Sequence, residues 1–342
     1  MKTIYNLIVL LCLNLNSIAQ LPKAFEYYKI VNKAELAICD SSFINAHKLY
    51  ADAFKINSNK AFSIDLLNAF KVSMDLKLYG DASWCLTKLL GRGLKSNKIK
   101  ELFGLYKNED SVFIRELLAK SNNDTFKFNH PLNLAITEMM VSDQGARKYF
   151  GELHNGNYMV DSTYKVDLSN ATKLKVLFNK YRGIPNEEVL GSHFGNPPYS
   201  ILISHHKAAF IGGYPFQYFD TMLLEAVFNY DLKPDFIAQY FNNGNFSYLI
   251  PWTKNDYVQT PLSVFIAKFK NTICIANTSK DREQAMNSNR AKLGLCTLAE
   301  LRKKIIFCKQ TQSKYYFETG FIAQFDCDNE EALEQWKKAY SF

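Results

Sequence analysis

The sequence predicts a mainly α-helical protein in which N-terminal helical hairpins pack on a C-terminal helical domain. From residue 24 to about residue 120, apolar residues recur at helical spacing, and short polar breaks separate successive segments. After residue 131 helical spacing returns, and capping residues precede several later segments. A polar stretch, KSNNDTFKFNHP, divides the two halves. We therefore expect a repeat region over residues 20–128 and a helical domain over residues 129–342.

Residues 1–19 have the organisation of a secretory signal peptide. Lys2 supplies a short positive segment, residues 4–15 are mostly apolar, and residues 17–19 have the small-x-small pattern of a cleavage site. The apolar run is too short to span a membrane, and no later stretch of the sequence approaches eighteen consecutive apolar residues. We expect an exported protein, periplasmic or extracellular, without a transmembrane segment.

Two segments of the first half share one pattern of small and large residues. The pattern occupies three positions on one helix face and recurs 36 residues later (Ala46, Tyr50, Ala53; then Ala82, Leu86, Leu89). Ala69, on the segment between them, is small enough to let neighbouring helices approach closely. These positions and this period resemble tetratricopeptide-type helical hairpins, which bury their inner face by stacking on neighbours. The resemblance implies binding of a peptide or protein, and the alternative is a packing module without a ligand.

The charge of the chain does not indicate a nucleic-acid partner. The chain carries 41 Lys and Arg against 33 Asp and Glu, a formal charge of +8 that falls to +7 without Lys2. The cluster Arg302-Lys303-Lys304 lies beside apolar residues at helical spacing, which favours a solvated helix face over a nucleic-acid contact. We expect a protein or peptide partner and no nucleic acid.

Six cysteines follow the signal peptide (Cys39, Cys85, Cys274, Cys296, Cys308 and Cys327). An even number permits disulfides in an exported protein, but the wide spacing matches no small disulfide scaffold. Cys39 and Cys85 fall at apolar helical positions, so buried free thiols are an equal alternative. The absence of a C-x-x-C pair from the sequence disfavours redox and zinc sites.

The segment MMVSDQGARKYF carries the first candidate for a polar site. It belongs to a long predicted helix with Asp143 and Arg147 four residues apart on one face, and Gln144 adjoins them. A surface ion pair with this spacing contributes only about 0.3–0.5 kcal/mol. Further along, Asn170 lies at the start of a helical stripe. The run PPYSILISHHKAAF carries two adjacent histidines and fits either a strand or a buried helix.

These residues belong to an ordered series of short motifs. In chain order the motifs are Asp143-Gln144-x-x-Arg147, Asp167-x-x-Asn170-x-x-x-Leu174, Gly183-x-Pro185, Gly191, His206 and Arg290-x-x-x-Gly294-Leu295. The series resembles an uncharacterised family of bacterial, mostly helical domains without an assigned activity, over roughly residues 135–305. The resemblance implies that the run around His205 is helical.

The chain departs from that family's pattern at two places. The family has an Asp-Arg pair after an Ala-x-x helix, and here the helix at Ala238 is followed by Asn242-Asn243. The family also has a Tyr-Gly-Thr-Gln segment, and the corresponding DYVQTPL has only Thr260-Pro261 at its end. If the family residues form part of a polar centre, that centre is incomplete here, which disfavours catalysis.

Two interpretations of the polar residues remain open. In the first, His206 acts as a general base oriented by Asp143, with Arg147 beside them, in a hydrolase-type enzyme. In the second, the side chains belong to a buried structural or binding network (which adds Gln144, Asp167, Asn170, His205 and Arg290). Adjacent histidines on a helix diverge by about 100°, so we expect no metal site. The sequence has no phosphate-binding glycine loop, and we expect no cofactor.

The C-terminal segment carries capping signals and one candidate hairpin. Asp281-x-x-Gln284 and Thr297-x-x-Glu300 each predict a helix start, and Asn329 predicts another. The aromatic, roughly alternating stretch KYYFETGFIAQFDC leaves open a short β-hairpin near the C-terminus. The repeat-like half and the incomplete polar centre favour an exported, non-catalytic binding or scaffold protein. A hydrolase-type enzyme and a purely structural protein are the alternatives.

Overall fold

The computed structural model describes residues 23–94, 96–107, 109–121, 130–148, 157–194, 197–209, 219–242, 248–249, 257–258, 264, 266–270, 272–310, 313–319 and 324–340. The predicted signal peptide and the boundary near residue 128 lie outside these ranges, and both stay predictions. The described chain is mainly helical with a small sheet near the C-terminus, which confirms the predicted fold class. Among these residues, no helix has the length and apolar character needed to cross a membrane.

The helices follow one another in two groups along the chain. The first group is α1 (residues 23–39), α2 (Phe43–Ile56), α3 (Ser63–Asp75), α4 (Tyr79–Gly91), α5 (Ser96–Leu105) and α6 (Glu109–Ser121). The second begins with α7 (His130–Lys148), α8 (Asn157–Lys180), α9 (Glu187–Leu190), α10 (Ser200–Ala209), α11 (Asp220–Phe228) and α12 (Pro234–Asn242). It continues with α13 (Lys280–Ala291), α14 (Leu298–Gln310) and α15 (Glu330–Tyr340).

The repeated small and large residues lie where the first helices pack. α3 contacts both α2 and α4, and all six residues of the repeat are buried on α2 and α4. Ala69 on α3 is buried as well. Small side chains at these positions let the helices approach, and the larger ones fill the grooves between turns. The first half therefore consists of packed helical hairpins, as the repeat predicts.

The α3 helix is enclosed on all sides although it carries several polar residues. Every residue from Ser63 to Met74 is buried. The backbone N–H of Ser63 donates to Glu187 Oε2 at 2.6 Å, and the side-chain amide of Asn68 hydrogen-bonds the backbone of Tyr316. Buried polar groups cost free energy unless they are paired. Hydrogen-bond partners from the second half of the chain therefore offset the free-energy cost of burying the polar groups of α3.

One hydrophobic cluster extends through both halves of the chain. It runs from Ala24 in α1 to Phe317 near the C-terminus and includes side chains of α2–α4, α7, α8 and α10–α12. Burial of apolar surface stabilises a fold by about 25 cal/mol per Å². Because both halves contribute to the same buried surface, each stabilises the other. The predicted packing of the N-terminal hairpins on the C-terminal helices is confirmed.

The strands near the C-terminus differ from the predicted hairpin. They are β1 (Tyr248–Leu249), β2 (Tyr257–Val258), β3 (Ile266–Phe269), β4 (Thr272–Ile275) and β5 (Gln324–Cys327). β1 pairs with β2, β3 and β4 form an antiparallel hairpin, and β5 joins β3 in parallel. Among the described residues of the stretch KYYFETGFIAQFDC, those of β5 enter this sheet. Residues 314–319 lie against helices instead: Tyr315 stacks on Phe43 of α2, Tyr316 accepts a hydrogen bond from Asn68 of α3, and Phe317 stacks on Phe307 of α14.

Helix capping follows the sequence signals in most cases. Thr297 and Glu300 form the predicted reciprocal pair at the start of α14, with backbone-to-side-chain distances of 2.8 and 3.3 Å. Asn329 Oδ1 accepts a backbone N–H of α15 at 2.8 Å. α13 begins one residue before Asp281, so this carboxylate lies in the first turn rather than at the cap. There it still complements the positive end of the helix.

All six cysteines of the described chain are free thiols. Burial raises the pKa of the Cys39 thiol to about 12 and moves the pKa of Cys85 upward as well. Thiols with such pKa values stay protonated near neutral pH and are poor nucleophiles.

Candidate functional site

Four side chains from three helices meet in a cluster that we call the polar centre: Asp143 and Arg147 of α7, Asp167 of α8 and His205 of α10. Arg147 Nη1 donates to Asp143 Oδ1 at 2.7 Å, and its Nη2 donates to both Asp167 oxygens at 2.7 and 2.8 Å. His205 Nδ1 lies 2.9 Å from Asp143 Oδ2. One guanidinium thus bridges two carboxylates, and one of these also holds an imidazole.

Helical spacing explains half of the polar centre, and helix packing explains the rest. Asp143 and Arg147 are one turn apart on α7, so their pairing is local. α8 and α10 both pack on α7 and bring the other two side chains into place. Asn170 Nδ2 donates to the Met139 carbonyl at 3.2 Å and fixes α8 against α7. Asn170 was expected at a helix start, but α8 begins at Asn157, which places it within the helix.

The carboxylates of the polar centre are buried, and its guanidinium and imidazole reach the surface. The side chains of Asp143 and Asp167 are 1% and 4% exposed, whereas those of Arg147 and His205 are 24% and 27% exposed. Gln144 Nε2 donates to Asp143 Oδ2 at 2.6 Å. Of the two alternatives, a surface ion pair and a buried network, the second is present, because the packing of α8 and α10 covers this face of α7.

The two carboxyls of the polar centre titrate differently. Burial raises the pKa of Asp143, but the hydrogen bond from His205 and the charges of His205 and Arg147 outweigh burial and lower the pKa. Burial also raises the pKa of Asp167, and here the opposing effect of Arg147 is insufficient, so the pKa stays above its usual value. Asp143 is therefore the firmly ionised member and the natural acceptor for the imidazole.

The partnership predicted for His206 is made by His205 instead. Neighbouring residues on a helix point about 100° apart, and α10 directs His205 to Asp143. His206 is buried, with its ring edge-to-face on Phe219 at a centroid distance of 5.7 Å. Burial lowers the pKa of His206 to about 4, so this imidazole is neutral near neutral pH. Arg290, also expected in the network, donates to the Cys296 carbonyl and braces the turn between α13 and α14.

The polar centre also contains a set of groups that could bind a divalent cation. Ligand atoms of Asp143, Asp167 and His205 lie within 4.8 Å of one another. Carboxylate and imidazole groups are common metal ligands. The guanidinium of Arg147 already donates to oxygens of both carboxylates, so it would compete with a metal for them.

A second ionic cluster, which the sequence did not indicate, joins the two halves. This junction cluster consists of Glu35 (α1), Asp65 (α3), Lys233, Lys304 (α14) and Glu318. Lys233 Nζ lies 2.8 Å from Asp65 Oδ1 and 3.5 Å from Glu318 Oε2, and Lys304 Nζ lies 2.8 Å from Glu35 Oε2. Lys304 is 3% exposed, so the predicted solvated face is wrong at this residue.

Burial and neighbouring charges shift the pKa values of the junction cluster. Burial alone would lower the pKa of Lys233, but the surrounding carboxylates, Asp65 foremost, outweigh it and raise the pKa. Burial raises the pKa of Glu318 despite the opposing charge of Lys233. Tyr27 adds a neutral donor, its hydroxyl bonding Asp65 Oδ2 at 2.8 Å. Lys233 and Asp65 are 168 residues apart, and Lys304 and Glu35 are 269 apart, which is why no local spacing indicates these pairs.

Residues 313–319 form an internal peptide-like segment bound along α3. Asn68 accepts the backbone N–H of Tyr316 at 3.0 Å and donates to its carbonyl at 2.5 Å. Lys71 donates to the carbonyl of Lys314. The Tyr316 ring lies under the ammonium groups of Lys71 and Lys98, 4.2 and 4.1 Å from its centroid. The N-terminal helices therefore already bind one extended, aromatic stretch of the chain.

An open groove lies between α2 and α4 above α3, with a cavity of about 410 Å³. The groove has aromatic walls, formed by Tyr50, Phe54 and Trp84. The ring centroids of Phe54 and Trp84 are 5.4 Å apart. His47 Nε2 and Asp81 Oδ2 also line it, 3.0 Å from each other. The small side chain of Ala69 on α3 also lines the cavity.

No protein-family model, curated protein or solved structure matches the chain. The resemblance to an uncharacterised helical family therefore stays a prediction.

Proposed function

We propose that the protein is an exported, non-catalytic binding protein that holds a segment of a protein or peptide partner in the groove between α2 and α4. The observation that carries the proposal is the cavity of about 410 Å³, with Trp84 37% exposed in its wall. Ligand sites are commonly cavities of about 300–1,000 Å³ with apolar walls and few polar groups. Tryptophan is also among the residues that dominate binding energy at protein interfaces.

The polar centre supports a structural role beside this groove. Both of its carboxylates already pair with Arg147, and Asp143 in addition holds His205. A buried carboxylate with strong donors is satisfied without a substrate. The centre then serves to hold α7, α8 and α10 together.

Selection of peptides against the intact protein tests the binding proposal. A random peptide library is displayed and enriched on the wild type, and the Kd of each enriched peptide is measured. We expect Trp84→Ala to weaken binding by about tenfold or more, because loss of a hot-spot tryptophan costs about 2 kcal/mol. Val176→Ala, at a 62% exposed position on α8, is the control and leaves Kd unchanged. Enriched peptides that bind equally well to Trp84→Ala would refute a groove site.

The export proposal rests on residues 1–19 and is tested separately. The full chain is expressed in a bacterium with a secretion pathway, and the N-terminus of the periplasmic or secreted product is determined by mass spectrometry. A product that begins near residue 20 supports export. An uncleaved protein in the cytoplasm contradicts it.

An enzyme of hydrolase type is the second candidate, favoured by one observation. His205 is 27% exposed and bonded through Nδ1 to a buried carboxylate, an arrangement that orients an imidazole for proton transfer. Turnover of ester, amide or phosphoester substrates by the wild type that His205→Gln abolishes would establish this function. Substitution of His206 by Phe is the matched control, since it changes the neighbouring imidazole and leaves the polar centre intact.

A further inference from the structure

We propose that the partner segment is an extended peptide in which a basic residue precedes an aromatic residue. Its ring would lie against Phe54 and Trp84, and its cation would pair with Asp81. This inference names the ligand class of the groove and rests on the proposed function. The same helices hold the chain's own residues 313–319, which show the kind of side chains that they accept.

The internal segment provides a lysine followed by a tyrosine. The Tyr315 ring stacks on Phe43 of α2 at a centroid distance of 5.9 Å, and its hydroxyl donates to Asp75 Oδ2 at 2.6 Å. Lys314 pairs with the other oxygen of Asp75. An aromatic ring of α2 and a carboxylate at the end of α3 therefore receive a basic and an aromatic side chain together.

The groove offers the same two kinds of group at the other end of α2. Phe54 lies near the C-terminal end of that helix, and Trp84 and Asp81 lie one turn apart or less on α4. Asp81 is 62% exposed, and His47 contacts only its Oδ2. The remaining oxygen can accept a charge-assisted hydrogen bond from an incoming lysine or arginine. An aromatic ring and a carboxylate therefore lie together at this end of α2 as well.

The charge at the groove favours a basic partner over an acidic one. Lys55 is the lysine among the lining residues, and it already pairs with Asp52 at 2.8 Å. Asp81 is the carboxylate among them, and it attracts a basic side chain. Like charges brought together cost free energy, so an acidic residue at this place would be disfavoured.

The interior of the groove favours an aromatic ring over a small side chain. Tyr50, Phe54 and Trp84 provide ring faces and edges, and aromatic pairs gain about 0.5–1.5 kcal/mol beyond burial of area. An aromatic side chain of the partner therefore gains more in this groove than a small one does.

Three synthetic peptides with blocked ends and glycine flanks test the inference. The first carries lysine then tyrosine, the second glutamate then tyrosine, and the third lysine then leucine. Fluorescence polarisation of labelled peptides measures Kd for the wild type. We expect the lysine–tyrosine peptide to bind at least about tenfold more tightly than the other two. In Asp81→Asn the preference for lysine over glutamate is lost, and Trp84→Phe retains more affinity than Trp84→Ala.

The outcomes separate this inference from the proposed function. If library-enriched peptides bind in a Trp84-dependent manner but the glutamate–tyrosine peptide equals the lysine–tyrosine peptide, the ligand class is wrong and the groove site stands. If no enriched or synthetic peptide depends on Trp84, both are wrong. Val176→Ala again serves as the control, and thermal unfolding of each variant verifies that it is folded.

Discussion

The polar centre and the junction cluster both pair carboxylates with basic side chains, but they differ in solvent access. In the polar centre, Arg147 and His205 are 24% and 27% exposed. In the junction cluster, Lys233 and Lys304 are 7% and 3% exposed. The cations of the first cluster therefore reach solvent more than those of the second. The second lies buried where the two halves of the chain meet, so its main expected effect is on stability.

The two clusters also differ in how far their residues lie apart in the sequence. Asp143 and Arg147 are four residues apart, and His205 is 62 residues beyond Asp143. Lys233 and Asp65 are separated by 168 residues, and Lys304 and Glu35 by 269. Exposed local pairs contribute little to stability, whereas removal of one partner from a buried pair is costly. We therefore expect the contacts between residues farthest apart in the sequence to contribute most to the free energy of unfolding.

The largest effect is expected for Lys233→Met in the junction cluster. The substitution removes the cation from Asp65, which is fully buried, and leaves its charge uncompensated. Urea unfolding should show a loss of about 4–5 kcal/mol in the free energy of unfolding. Lys303→Met is the control, because this 44% exposed lysine pairs with an exposed carboxylate and should change stability by less than about 0.5 kcal/mol. If the two substitutions lower the free energy of unfolding equally, the expected difference between a buried and an exposed ion pair is contradicted.

A smaller loss is expected for Arg147→Ala in the polar centre. Asp143 and Asp167 would remain buried without their shared cation, but water can enter where the guanidinium reached the surface. We expect a loss of about 3–4 kcal/mol in the free energy of unfolding. Arg302→Ala is a matched control, since its side chain is 25% exposed and pairs with a Glu283 that is itself 27% exposed. That control should lose less than about 1 kcal/mol.

The sequence predicts what depends on neighbours along a helix. The pairing of Asp143 with Arg147 and the cap formed by Thr297 and Glu300 follow from spacing alone, and both are present. The choice between two adjacent histidines depends on how α10 is rotated against α7, which spacing does not determine. For that reason His206 was expected where His205 lies.

The junction cluster and the internal segment could not be predicted from the sequence for a different reason. Glu35 and Lys304 resemble ordinary surface residues of amphipathic helices until tertiary packing buries them together. The stretch beginning at Lys314 alternates as a strand would, but the helix that receives it is more than two hundred residues earlier in the chain. Long-range packing outweighs local pattern in both cases.

His206 of α10 should make the stability of the protein depend on pH. The pKa of His206 is about 4 in the folded protein and about 6.5 when unfolded. Between these values the unfolded state binds a proton that the folded state does not, so stability falls as pH falls from about 6.5 to 4. The total loss from this residue is about 3 kcal/mol.

His206→Phe tests this pH dependence, because it keeps the ring contact with Phe219 and removes the titrating group. The free energy of unfolding is measured by urea titration at several pH values between 4 and 7. We expect the variant to lose the part of the slope that His206 contributes, and to unfold less readily than the wild type near pH 4.5. An unchanged slope would mean that His206 takes up its proton without unfolding.

The smallest effect is expected for a contact that is wholly local. Thr297→Ala removes the side-chain half of the capping pair at the start of α14, the helix that carries Lys304. We expect a loss of about 1 kcal/mol in the free energy of unfolding. Thr137→Ala is the control: this exposed threonine lies inside α7 and bonds the carbonyl four residues earlier, so alanine there should be neutral or slightly stabilising. If Thr297→Ala lowers the free energy of unfolding as much as Lys233→Met does, the cap rather than the junction cluster positions α14. The expected increase of a contact's contribution to stability with sequence separation is then contradicted.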